Sequence, residues 1–308
     1  MAKEQFSYPE TVPLFRTLED ISQRSGVSRA QAFENTLQSN VCCLAAETME
    51  PEYLDAIKDH TEGPVGKRGV DLMAKFFGQL IESMSRTDKD LLGDLFQSSI
   101  SYGEHGLFLT PEQISTLMAK LTINDLDEGE DGRPLRIHDP CGGTGRMLLA
   151  ASVENPRAEL VGMDVDPRCA LIMDINFGLR GKYGWVICGN SLSREVRFVH
   201  RIGSFFHEGP NGRRRGVVRA IPPEQCPVLP EITQATRTDL FDRVGDSTID
   251  PQELEANSFA IIEVPQWFAR LEPKLAALDR DEPAVVEERS EQVTRRPEDP
   301  PPKQQELF

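Results

Sequence analysis

Apolar positions recur three and four residues apart from Ser7 to about Gln97, the spacing that lines one face of a helix, so the first third of the chain is expected to be helical. Ser28 stands ahead of the segment Arg29 to Leu37 with a hydroxyl suited to cap it. The run Leu72 to Met84, LMAKFFGQLIESM, is the most apolar helix, and its simplest role is core. At Leu135 the period changes. Leu135-Arg136-Ile137-His138 is a short strand entering a glycine-rich turn, followed by a helix from Arg146 to Glu154. A second strand, Glu159 to Asp164, precedes a helix from about Pro167 to Leu179, and a third, Gly184 to Cys188, ends at Gly189-Asn190-Ser191. Strand and helix alternating at this spacing imply a parallel, doubly wound α/β sheet.

Beyond Arg197 the pattern fades into turns at Gly209 to Gly216 and at Ile221-Pro222-Pro223, with a strand-like Gly216 to Ala220 between them. One further strand is expected at Phe259 to Val264. From Asp279 onward the chain is charged and proline-rich and is expected to be disordered.

The whole chain sets bounds on this picture. Its 308 residues suffice for a full α/β domain with a helical appendage. Six cysteines without a C-x-x-C pair and five histidines without ligand spacing point to neither a disulfide framework nor a metal site. No apolar run suggests a membrane span or signal peptide, so a soluble, cytoplasmic protein is expected. The formal charge of −16 argues against nucleic-acid binding through bulk electrostatics. Arg213, Arg214, Arg215 and Arg219 form the only dense basic cluster, in a stretch that reads as an exposed loop, either a local DNA contact or a solvated offset to nearby acids.

Candidate chemistry lies at the strand ends. The turn Asp139-Pro140-Cys141-Gly142-Gly143-Thr144-Gly145 lets backbone approach a ligand, with a helix N-terminus behind it. It is neither G-x-G-x-x-G nor a phosphate loop, and Asp139 would repel phosphate, which favours an amine-bearing ligand. Asp164 can accept both hydroxyls of a ribose; as a plain helix cap, Asp166 would serve better. Asn190 can pair with the edge of an adenine ring. Amine, ribose and base together describe an adenosyl amino acid.

The turn resembles the D-P-A-C-G-T-G motif of the adenine-specific (N6) DNA methyltransferases, in particular the modification subunit of type I restriction-modification systems. Gly106-Leu107-Phe108-Leu109-Thr110-Pro111 is similar to the family's G-x-F-x-T-P segment, and Asp90-Leu91-Leu92-Gly93-Asp94-Leu95-Phe96 to its D-x-L-G-x-x-Y. Gly162-Met163-Asp164, with Asn176 and Gly181, resembles the second motif and its helix, and Gly189-Asn190-Ser191-Leu192 the third, usually G-D-x-L. Inside the span Gly142 replaces the usual cysteine and Asn190 the usual aspartate. The resemblance implies a Rossmann-like methyltransferase fold dependent on S-adenosyl-L-methionine, in residues 101–278, incomplete or divergent in its C-terminal half. A helical N-terminal domain, 1–100, would precede it and the tail, 279–308, follow. It implies that Phe108, Thr110, Pro111, Asp139, Cys141, Gly143, Gly145, Asp164 and Asn190 hold the cofactor, that DNA is the substrate, and that a specificity subunit is a partner.

The resemblance stops short of the reaction. The family clamps the flipped adenine with Asn/Asp-Pro-Pro-Tyr/Phe, and no such tetrapeptide occurs here. Ile221-Pro222-Pro223-Glu224 is nearest, but Ile221 cannot accept from an amine and Glu224 cannot stack, so a plain turn is favoured over a decayed motif. At the C-terminus, Gln304-Gln305-Glu306-Leu307-Phe308 resembles the Q-x-x-L-F peptide that docks bacterial proteins on the DNA sliding clamp through Gln304, Leu307 and Phe308. Three readings stand: a methyltransferase acting on DNA adenine, a non-catalytic descendant tethered to the clamp, and a pure interaction protein.

Overall fold

The three-and-four spacing of the first hundred residues folds into five helices: α1 (Thr11–Ser25), α2 (Arg29–Leu44), α3 (Glu50–Ile57), α4 (Gly69–Thr87) and the short α5 (Leu91–Leu95), which runs on into a π-helical turn, Phe96–Ile100. These come from a computed structural model that describes residues 5–101, 108–123, 134–209 and 212–229. The Ser28 hydroxyl caps α2 by accepting from the Gln31 N–H at 3.1 Å. In α4 the apolar run presents Met73, Phe76, Leu80 and Met84 to the core.

After α6 (Glu112–Thr122) come β1 (Arg136–Asp139), α7 (Arg146–Glu154), β2 (Glu159–Asp164), α8 (Pro167–Leu179) and β3 (Gly184–Asn190). The three strands are parallel and lie in consecutive order. Moving twice in the same direction through right-handed crossovers puts both helices on one face of the sheet. Added side chains at Gly162, on β2, would meet Met173 of α8 and Leu148 of α7 alike. Register pairs Asp139 with Gly162 and Asp164 with Cys188, so the carboxyl ends Asp139, Asp164 and Asn190 share one edge. That edge is where open α/β sheets bind ligands.

Helix α8 is buried nearly all round because it lies between the sheet and α2. One continuous apolar core results, running from Leu14, Phe33 and Phe76 through Met173 and Phe177 to Leu160, Val186, Ile202 and Val218. The helical segment and the sheet therefore share their interior. On the other face Val161, Met163, Trp185, Ile187 and Val199 form a smaller cluster with Cys226 and Val228. Both faces of β2 and β3 are thus covered, whereas β1 alternates between exposed and half-buried.

The region beyond Arg197 corrects the sequence expectation. Instead of fading, the chain makes a long antiparallel hairpin, β4 (Glu195–Gly209) and β5 (Gly212–Ile221), added to the β3 edge. Period-two alternation was present, with Val196, Phe198, His200 and Ile202 against Arg197, Val199 and Arg201, but interleaved arginines and histidines hid it. The strand expected at Phe259 to Val264 and the tail 279–308 lie outside the described residues.

One buried polar contact joins the hairpin to the helices. His200 Nδ1 on β4 is hydrogen-bonded to Asp174 Oδ2 of α8 across 2.6 Å, both buried, and the second Asp174 oxygen has no partner among the described residues. Burial pushes the Asp174 carboxyl above its usual range, against the pull of His200. Removing one member leaves the other stranded. His200→Ala is therefore expected to lower the unfolding free energy by at least about 2 kcal/mol in urea titration. Replacing the pair together by apolar residues, Asp174→Leu with His200→Phe, should recover most of it.

Candidate functional site

Directly after β1 the chain reverses in a turn whose shape depends on glycine. Gly143 and Gly145 sit at φ +55° and +87°, left-handed conformations that side chains resist. A Cβ on Gly145 would also stand 2.8 Å from the Phe177 ring and 2.9 Å from Met173. The turn is anchored to β2 twice: Gly142 N–H donates to the Met163 carbonyl at 2.8 Å, and Gly143 N–H to Asp164 Oδ2 at 2.8 Å. Asp139 Oδ1 accepts from the Cys141 N–H, leaving Oδ2 without a partner among the described residues.

Behind the turn lies a buried acid. Asp90, at the N-terminus of α5, accepts from the Gly93 N–H (2.8 Å) and the Asn176 amide (2.9 Å) on Oδ1, and from Thr144 Oγ1 (2.6 Å) and Arg146 Nε (2.7 Å) on Oδ2. Burial opposes its charge, but the Arg146 guanidinium, with donors from Thr144, Asn176 and Gly93, outweighs this and holds the carboxyl below its usual range. Gly93 is required by the same contact, because a Cβ there would stand 2.0 Å from Asp90 Oδ2. Asn176 also donates to the Thr144 carbonyl and accepts from Arg180, while Arg146 reaches the Thr110 carbonyl at 3.3 Å. One carboxylate thus joins α5, the glycine turn, α8 and the segment before α6.

In front of the turn opens a cleft of about 920 Å³. Its lining contains Phe108, Thr110, Asp139, Cys141, Gly143, Asp164 and Asn190 of the residues singled out from the sequence. Pro111 and Gly145 are absent from the lining and are the N-caps of α6 and α7. Thr144, Ser191 and Leu192, named only within their motifs, also line it, as do Arg146 and Met147, which the sequence did not single out. Asp166, not Asp164, caps α8 by accepting from the Arg168 N–H at 2.9 Å. Asp164 instead accepts from the N–H groups of Gly143 and Asp166, and burial nevertheless pushes its carboxyl above the usual range.

One expectation is corrected by position, and one turn falls where it was expected. The arginine cluster lies on strand β5 and not in a loop, because Arg213 to Arg219 pair with β4. Alternation sends Arg214 to the face opposite Arg215 and Arg219, and each has a partner: Arg214 pairs with Glu47 at 2.7 Å, Arg215 donates to Ser204, and Arg219 lies 5.4 Å from the centre of the Phe205 ring. Ile221 ends β5 opposite Val199, and Pro223–Gln225 is a 3-10 turn, two strands from β3 and absent from the cleft lining. Among the described residues no group of three His, Cys, Asp or Glu converges as a metal site. Gly106, Leu107 and the C-terminal peptide Gln304 to Phe308 lie outside the described residues.

The motifs that line the cleft recur in known proteins. Residues 87–197 match the N-6 DNA methylase family model, a span that contains all the motifs from Asp90 to Leu192. The type II methyltransferase M.XamI of Xanthomonas campestris pv. amaranthicola is 46% identical over 68 residues, which is 22% of this chain and 12% of that enzyme. The type I restriction-modification system methyltransferase subunit of Streptococcus thermophilus aligns with a TM-score of 0.31 at 14% identity, over 58% of this chain and 57% of that subunit. The chain therefore corresponds to about half of that subunit and a small part of the type II enzyme. Its likeness to the adenine-type DNA methyltransferases holds over the α/β, Rossmann-like segment, and that family implies S-adenosylmethionine as methyl donor.

Two variants test the construction of the site. Gly145→Ala is expected to destabilise the fold by about 1–3 kcal/mol, through the left-handed backbone and the Phe177 clash. Asp90→Asn turns an acceptor among donors into a donor and should lower stability at pH 7. A carboxylate with a depressed pKa stabilises the fold above about pH 4 and loses that contribution as pH falls through its folded value. The gap between wild type and Asp90→Asn, measured by urea midpoints, should accordingly narrow from pH 5 towards pH 3; a constant gap would contradict the assignment.

Proposed function

We propose that this chain, an N-6 DNA methylase-type protein over residues 87–197, binds S-adenosylmethionine in the cleft and serves methyl transfer to the exocyclic amine of adenine in DNA. The observation that carries the reading is the convergence of Asp139, Asp164 and Asn190 on one cleft beside a turn whose Gly143 and Gly145 take the left-handed backbone that side chains resist. The residues fit the ligand: the free oxygen of Asp139 suits an ammonium, Asp164 suits ribose hydroxyls, and Asn190 suits the base. Arg146, turned inward by Asp90, keeps the turn in place. The cofactor, when bound, supplies a methyl group on a sulfonium sulfur, and exposed apolar residues at the rim, Phe108 and Leu192, are suited to exclude water from it.

A second reading has its own observation. Ile221 to Glu224, the nearest match to the base-clamping tetrapeptide, lies at the far edge of the sheet and does not line the cleft. A non-catalytic descendant that retains the cofactor fold requires no such clamp. In either reading Arg213, Arg214, Arg215 and Arg219 on the hairpin are the proposed DNA contacts, a specificity subunit is a proposed partner, and Gln304, Leu307 and Phe308 are proposed to engage a sliding clamp. No helix among the described residues is long and apolar enough to cross a membrane; a cytoplasmic setting belongs to the proposal.

Calorimetry with S-adenosylmethionine should show binding, weakened at least tenfold by Asp164→Ala, about 1.4 kcal/mol or more. Unchanged affinity in that variant would overturn the cofactor reading. Labelled methyl recovered in adenine of DNA decides for the enzyme; binding without transfer, with candidate specificity subunits present, decides for the second reading.

A further inference from the structure

A second cavity, of about 470 Å³, lies between α4, α6, α7 and the end of α8, and shares only Arg146 with the lining of the cleft. Its apolar surface comes from Met84, Leu149 and Leu179, which are buried or half-buried, and from Ile81 and Val153, which are 43% and 68% exposed. Concave apolar surface of this size suits a small ligand with an apolar body. The polar groups around it are nearly all engaged. Three acids border the cavity and each has a cation: Asp88 pairs with Arg180, Asp90 with Arg146 and Glu112 with Lys89, all at 2.7 Å. Tyr8 donates to Glu112, and the hydroxyls of Ser85, Ser115 and Thr116 each donate to a backbone carbonyl one turn back. Lys182 differs. It stands half-buried in the wall, and its ammonium has no partner among the described residues. Burial pushes the Lys182 ammonium below its usual range, against the pull of Asp88.

With its acids paired, the cavity holds one uncompensated positive charge beside an apolar surface. A doubly charged phosphate would bring more negative charge than Lys182 balances, next to three carboxylates. An amine would meet Lys182 as a like charge, and an uncharged apolar molecule would cover the ammonium and leave it unpaired. A single carboxylate on an apolar body satisfies both the charge and the surface. We propose that this cavity binds a small amphipathic monoanion, with its carboxylate on Lys182 and its hydrocarbon against Leu149, Val153 and Leu179. The inference goes beyond the cofactor reading and does not rest on it.

The test is NMR titration of the full chain with octanoate and with octylamine, which share an aliphatic body and differ in charge, read at the backbone amides that line the cavity. Octanoate should saturate these shifts with a Kd of about 1 mM or tighter, and octylamine should bind there at least about tenfold more weakly. Lys182→Met keeps the stem and removes the charge; it should weaken octanoate at least about fivefold and narrow its advantage over octylamine. Val153→Glu sets a carboxylate at an exposed position of the wall and should weaken octanoate at least about tenfold, with thermal melting showing that both variants fold. Equal affinity for the two probes, an octanoate affinity left unchanged by either variant, or no saturation up to about 10 mM overturns the inference. None of these results touches the cofactor reading, which stands or falls on the Asp164→Ala titration.

Discussion

The carboxylate of Asp90 is the constraint on which the rest of the site depends. It is buried, and an unpaired charge there would cost several kcal/mol, so the fold must bring donors to it. Those donors come from residues 3, 54, 56 and 86 positions away: the Gly93 backbone, the Thr144 hydroxyl, the Arg146 guanidinium and the Asn176 amide. Meeting that requirement fixes the start of α5, the glycine turn and the middle of α8 relative to one another. The turn's open face, where a ligand can approach backbone, is held from behind by a group that never needs to touch the ligand. Asp94, four residues on, acts alike toward the N-terminus, accepting from the Ser7 and Tyr8 N–H groups and the Thr11 hydroxyl.

This arrangement explains why the helices of the first hundred residues share a core with the sheet. Helix α8 is the common element: its outer side meets α2, its inner side meets β2 to β5, and its polar residues Asn176 and Asp174 are the two that find buried partners, one towards the glycine turn and one towards the hairpin. The cleft is thus built on elements with little freedom to shift, and pre-organisation of this kind lowers the ordering cost of binding.

Much of the fold was legible because its signals are local. Helices α7 and α8 and strand β2 fall where periodicity placed them, and Ser28 caps α2, since apolar spacing and cap chemistry act within a few residues. Of the hairpin β4–β5 only the stretch Gly216 to Ala220 was legible: elsewhere its alternation is interrupted by arginines and histidines that are satisfied by partners distant in sequence, as His200 is by Asp174 and Arg201 by Glu159. At the site, strand ends pointed to Asp139, Asp164 and Asn190, whose positions follow from parallel register. The tasks of Thr144 and Arg146 were hidden, because their common partner Asp90 lies more than fifty residues upstream. Only the D-x-x-G spacing of Asp90 and Gly93 carried a trace of it, in the glycine that leaves room for the carboxylate.

The central claim is that the cleft at the carboxyl ends of β1 to β3 is a binding site for S-adenosylmethionine, and backbone amide NMR of the full chain during titration with that compound tests it most directly. The account predicts shifts concentrated on Gly142 to Gly145, Asp164 to Asp166 and Asn190 to Ser193. Saturable binding whose shifts fall elsewhere, for example on the separate cavity lined by Tyr8, Thr116 and Lys182, or titration with no shifts at all, would contradict it.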